Sequence, residues 1–152
     1  MIDNNNIILD RDVSLEPILK KKIAIIGYGN QGRAQALNLT DSGISIKVGI
    51  RKNSQSIQIL RKDGLIYNTI EKVVQWADII CLLVPDKEIP NVYHKNIYPY
   101  LQKGQTLLFA HGFTVNYQLI KIPADINIVM VAPSAGGAIV RQEFLKNAGV
   151  PT

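Results

Sequence analysis

Apolar positions along this chain fall into short continuous blocks rather than a strict in-out alternation, and segments with helical spacing stand between the blocks. An apolar block of about four to eight residues is too short for a buried helix and reads as a strand covered on both faces. On this basis strands are expected at residues 22–26, 45–50, 65–68, 78–84, 106–110 and 127–131. Helices are expected at 31–42, stopped by Gly43, at 55–62, stopped near Asp63-Gly64, and at 70–76, with a mostly helical crossover at 88–101. Ahead of them, residues 1–6 are polar and read as loose, and 7–12 reads as a short extended piece on the domain edge. Strands that alternate with helices predict one α/β domain over residues 1–152, with a doubly wound, mostly parallel sheet and right-handed crossovers.

The first expected strand runs directly into Gly27-Tyr28-Gly29-Asn30-Gln31-Gly32, and a helix opens within that run. A Gly-x-Gly-x-x-Gly pattern is common by chance; closing a strand and opening a helix is what makes it a dinucleotide signature of Rossmann type. Each glycine has a separate task. Gly27 permits the tight turn, Gly29 lets the backbone approach a pyrophosphate, and Gly32 allows the helix to lie close on the sheet. The free N–H groups of the helix start, at Asn30 and Gln31, attract the phosphates.

The end of the second strand bears on which dinucleotide fits. An NAD site places Asp or Glu there for the ribose 2′-hydroxyl, whereas this chain has Arg51-Lys52-Asn53-Ser54-Gln55-Ser56. Arg51 can pair with a 2′-phosphate and the hydroxyls of Ser54 and Ser56 can donate to it, which favours NADPH.

Ligands of open α/β sheets sit outside the carboxyl ends of the strands, so residues that follow the later strands are also candidates. His111 follows the fifth strand, where an imidazole can serve as a cap or move a proton beside a nicotinamide; position alone leaves both open. Asp86 follows the fourth, as a helix cap or as a border of the dinucleotide. Gly136-Gly137 follows the sixth, admitting a ligand to the backbone or making a turn. His94 reads as a surface residue.

Composition narrows the picture. With 47% hydrophobic and 19% charged residues, the chain belongs with globular domains. No apolar run is long enough to span a bilayer, and no signal-peptide pattern opens the chain, so a cytoplasmic location is expected. The net charge of +5 is scattered rather than clustered, which argues against a nucleic-acid surface. Cys81, the only cysteine, lies within an apolar strand and reads as a buried structural thiol.

Taken together the motifs resemble the N-terminal domain of ketol-acid reductoisomerase, also called acetohydroxy acid isomeroreductase. The likeness is carried by Asp10-Arg11-Asp12-Val13-Ser14-Leu15, by residues 22–39, and by Asp41-Ser42-Gly43 and Val48-Gly49-Ile50-Arg51. It continues in Trp76-Ala77-Asp78, Pro85-Asp86, Phe109-Ala110-His111-Gly112-Phe113, Pro123-Ala124-Asp125, Met130-Val131-Ala132-Pro133 and Val140-Arg141. The resemblance implies NADPH bound by residues 28–31, Arg51, Ser54 and Ser56, with Asp86 and Gly137 nearby and His111 as the active-site histidine. It implies isomerisation of 2-acetolactate or 2-aceto-2-hydroxybutyrate by alkyl migration, followed by hydride transfer, in branched-chain amino-acid biosynthesis. It also implies magnesium held by carboxylates of a C-terminal all-helical domain that these 152 residues do not include, so catalysis by this chain alone is not expected. A helical partner domain or a homo-oligomer is the partner this suggests, and a non-catalytic NADPH-binding or assembly module is the alternative. The chain departs from the family at Ser134 and Ala138, where a lysine and a histidine are usual, and at Ile89, where glutamine is frequent.

Overall fold

The structure, a computed structural model, describes residues 12–152. The polar start at 1–6 and nearly all of the extended piece expected at 7–12 lie outside the described residues. The strands are β1 (Lys22–Ile26), β2 (Ser45–Gly49), β3 (Tyr67–Asn68), β4 (Ile79–Leu82), β5 (Thr106–Phe109) and β6 (Asn127–Met130). They form one sheet in the order β3-β2-β1-β4-β5-β6, with every pairing parallel. The order reverses between β1 and β4, so the chain leaves the carboxyl ends of these two neighbours in opposite directions and a crevice opens there.

Continuous apolar strands follow from this arrangement, because both faces of the central sheet are covered. Ile25 pairs with Val48 and Cys81, and this row packs with Ala36 and Leu60 on one side. The next row, with Ile26, Leu82 and Phe109, faces the other side against Val73, Val74 and Tyr93. Burial of each large side chain contributes roughly 1.5–3 kcal/mol. Cys81 lies in the first layer as a free, buried thiol, and burial pushes its pKa up to about 12, as a structural role requires.

The helices are α1 (Glu16–Leu19), α2 (Asn30–Asp41), α3 (Ile57–Lys62), α4 (Ile70–Trp76), α5 (Ile89–Val92), α6 (Phe113–Asn116) and α7 (Gly137–Leu145). The crossover expected at 88–101 is broken into α5, a π-helical stretch at Tyr93–Ile97 and a 3-10 turn at Tyr98–Tyr100. Pro99 supplies no N–H and its ring clashes with a preceding carbonyl, so a regular helix cannot run through it.

Two features differ from the sequence reading. The residues after β6, where the glycine pair reads as admitting a ligand or making a turn and no helix is expected, build α7, which lies along α2. There Arg141 donates to Asn38 Oδ1 at 2.9 Å and pairs with Asp41 at 2.6 Å. Second, β6 is apolar yet covered on neither face: Ile128, Val129 and Met130 are 49%, 43% and 60% exposed. Its apolar character predicted burial, but α7 turns back to α2 and leaves this edge of the sheet bare.

Candidate functional site

At the end of β1 the backbone turns sharply through Gly27, whose φ of 97° disfavours any side chain; a Cβ there would also meet Val84 at 2.8 Å. A Cβ on Gly32 would collide with the Gly27 carbonyl, so this glycine lets α2 start directly over the turn. Gly29 is different. A Cβ there would meet nothing within 4 Å, so neither packing nor an unusual φ requires a glycine at this position. What lies in front of it is open space above the start of a twelve-residue helix with no side-chain cap and no acidic residue in its first turn. The first amides of α2 have no intrahelical acceptor and carry the positive end of the helix dipole.

This loop forms one wall of a groove at the reversal point of the sheet. Gly27, Tyr28 and Gly29 line it together with Arg51, Ser54 and Ser56 from the segment after β2, and Val84, Pro85 and Glu88 after β4. The Arg51 guanidinium makes no ion pair among the described residues. The segment is internally braced: the Ser56 amide donates to Ser54 Oγ at 3.3 Å, and Ser56 Oγ donates across to the Tyr28 carbonyl at 3.4 Å.

A second groove continues from the first over the ends of β4 and β5, lined by Gly29, Asn30, Gln31, Asp86, Ile89, His111 and Pro133. The structure thus brings Asn30 and Gln31 beside Asp86 and His111. Gln31 Nε2 donates to the Ala135 carbonyl at 2.8 Å and ties the helix start to the loop that follows β6. Asp86 opens a 3-10 turn without capping it by its side chain, which removes the capping alternative for this residue.

The His111 ring does cap. The Phe113 amide donates to Nδ1 at 3.1 Å at the start of α6, so the neutral ring carries its proton on Nε2. Asp86 Oδ2 stands 3.6 Å from the same Nδ1, beyond hydrogen-bond reach. Nε2–H is therefore the free donor of an exposed imidazole.

Gly137 lines neither of these grooves but a third one beside them, with Tyr28, Gly29 and Asn30 of the glycine loop and Arg33 of α2. A Cβ there would collide with the Asn30 carbonyl, so this glycine lets α7 press on the start of α2. Sequence reasoning missed Asp63, read only as a helix stop. It accepts a hydrogen bond from Tyr28 Oη at 2.7 Å and a bidentate pair from Arg33 at 2.7 and 2.8 Å. The Arg33 hydrogen bonds hold the Asp63 carboxyl below the usual carboxylate range, whereas burial, followed by Asp63, raises the Tyr28 phenol. No local pattern announces an interaction across 35 residues.

Among the described residues no group of three or more His, Cys, Asp or Glu is placed to hold a metal ion, and no helix is long and apolar enough to cross a membrane.

Residues 17–152 match the family described as the acetohydroxy acid isomeroreductase NADPH-binding domain. The ketol-acid reductoisomerase (NADP(+)) of Pyrobaculum neutrophilum is 49% identical over 93% of this chain, and that of Methanocaldococcus jannaschii is 48% identical over 95%. The chain spans 43% and 44% of the lengths of these curated relatives. A solved NADH-preferring ketol-acid reductoisomerase from an uncultured archaeon superposes with a TM-score of 0.89 at 37% identity, covering 93% of this chain and 44% of that one. The glycine turn over β1, the all-parallel sheet and this match over nearly the whole chain agree: the protein belongs to the acetohydroxy acid isomeroreductase NADPH-binding domain family.

Proposed function

We propose that the chain binds NADPH in preference to NADH and serves as the cofactor-binding part of a ketol-acid reductoisomerase. The observation that carries the preference is that Arg51, Ser54 and Ser56 line one groove with the glycine loop, with no ion pair to the Arg51 guanidinium among the described residues and no carboxylate in the segment that follows β2. In this reading the pyrophosphate rests on Gly27, Tyr28, Gly29 and the amides of Asn30 and Gln31, and the space in front of Gly29 is what its oxygens occupy. Arg51 and the Ser54 hydroxyl take the 2′-phosphate, while Ser56, whose hydroxyl donates to the Tyr28 carbonyl, lines the pocket and holds the segment against the loop. Gly32 and Gly137 act on the cofactor indirectly, by seating the start of α2 against the glycine turn and against α7. The NADH preference of a solved relative makes this distinction a real one within the family.

Bound NADPH supplies the hydride. Asp86 and His111 border the second groove, which puts them towards the nicotinamide end, and His111 offers a proton at Nε2 to a substrate oxygen there. Magnesium does not fit the residues present, since no group of three or more His, Cys, Asp or Glu among the described residues is placed to hold it.

Titration of the chain with NADPH and NADH by fluorescence or calorimetry tests the cofactor reading. Tighter NADPH binding is expected, and Arg51→Ala should weaken it about tenfold or more while leaving NADH within about twofold, as loss of one charge-assisted contact implies. Equal or absent binding of the two would refute it.

The bare face of β6 supports a second reading, in which the chain docks on a helical domain such as the resemblance implies. Ile128, Val129 and Met130 are exposed, as are Phe113 and Tyr117 after β5, and more than half the length of the relatives lies outside the matched part. Light scattering with and without a relative's helical domain tests this. A complex, with acetolactate-dependent NADPH oxidation, is expected; a monomer that ignores the domain and binds no apolar dye would contradict it.

A further inference from the structure

The Tyr28–Asp63–Arg33 cluster joins three hydrogen bonds on one carboxylate, and Asp63 itself lines neither of the grooves that its partners border. Asp63 closes α3, the helix that begins one residue after Ser56. Its carboxylate is nearly covered, with 9% of the side chain exposed, and it reaches back to the glycine loop through Tyr28 and to the first turn of α2 through Arg33. Ser56 Oγ makes a second tie, to the Tyr28 carbonyl. Both ends of the α3 unit are thus fastened to the same residue of the loop, and Tyr28 is the wall between the groove holding Arg51 and a neighbouring groove that holds Arg33.

We propose that Asp63 is a positioning residue for cofactor selectivity: by clamping Tyr28 and Arg33 it fixes the span between the glycine loop and the Arg51, Ser54 and Ser56 segment, and so holds the 2′-phosphate pocket at its working width. This rests on the NADPH reading above. The clamp acts on the part of the ligand that NADH lacks, because the backbone of the pyrophosphate seat, Tyr28 included, is set by β1, the Gly27 turn and α2, whereas the Tyr28 and Arg33 side chains reach Asp63 and so set where the α3 segment stands. A neutral cofactor-independent brace would affect both dinucleotides alike.

Electrostatics alone predicts the opposite outcome. Removing the Asp63 charge leaves Arg33 uncompensated near the groove, which would favour the more anionic NADPH. Positioning predicts that Asp63→Asn lowers NADPH affinity about tenfold with NADH within about twofold, so that their ratio collapses. The same ratio should fall for 2′,5′-ADP against 5′-AMP, which isolates the phosphate. Tyr28→Phe keeps the Arg33 pair, removes only the hydroxyl and should shift the ratio in the same direction by less; it is the variant to use if Asp63→Asn does not fold. An unchanged ratio, equal losses of both cofactors, or a rise in NADPH preference would overturn the clamp. Wild-type protein measured alongside separates the two ideas: if it shows no NADPH preference, both fall, and if it does while the variants keep the ratio, only the clamp falls.

Discussion

At the residue scale, three glycines of one motif are held for different reasons, and the difference can be measured. Gly27 needs its positive φ and Gly32 its contact with the Gly27 carbonyl, but Gly29 faces open space with an ordinary φ of −88°. Gly29→Ala should therefore leave stability within about 0.5 kcal/mol while weakening both dinucleotides about tenfold or more, since the methyl group would stand where the phosphates approach. Parallel thermal unfolding and cofactor titration check this; an unstable variant, or one that binds normally, would contradict it. The Asp63 clamp has a pH signature of its own. Its carboxyl is held below the unfolded value of about 4, so its stabilisation is complete above that pH and is lost as pH falls through the lowered folded value.

Gly29, Arg51 and His111 stand out in the sequence by their type and their place after a strand, and the structure lines the two grooves with them. Asp63 does not stand out. Its partners lie 30 and 35 positions away, and beside Gly64 its local role as a helix stop is complete.

At the scale of elements, the strands were readable since continuous apolar blocks have one economical solution, burial on both faces of a parallel sheet. The same reasoning fails at β6, whose blocks of Ile128, Val129 and Met130 look like those of β4 but lie bare. Sequence records that a strand is apolar, not which element covers it. Helix α7 escaped notice because Gly136 caps it and Gly137 begins it, residues that read as a turn. Its position makes Gly137 the hinge of a packing contact. Gly137→Ala sets a methyl against the Asn30 carbonyl and should cost about 1–3 kcal/mol, visible as a lower midpoint of denaturation. Stability within error of the parent would show that α7 does not press on α2.

At the scale of the whole molecule, the sheet reversal between β1 and β4 gathers residues from opposite ends of the sequence into two adjoining grooves. One holds the glycine loop with Arg51, Ser54 and Ser56; the other holds Asp86 with His111. That division matches a dinucleotide laid across the reversal point, adenosine end towards β2 and nicotinamide end towards β5. Among the described residues no carboxylate cluster is placed to hold a metal ion, and the apolar β6 face lies exposed at the far edge of the sheet.

In the proposed reading, this groove recognises the 2′-phosphate through Arg51. Its most direct test is the pair of binding isotherms for NADPH and NADH on the parent chain and on Arg51→Ala. The account predicts a clear NADPH preference in the parent that Arg51→Ala abolishes while NADH binding stays within about twofold. Equal affinities in the parent, or a preference that survives Arg51→Ala, would contradict it.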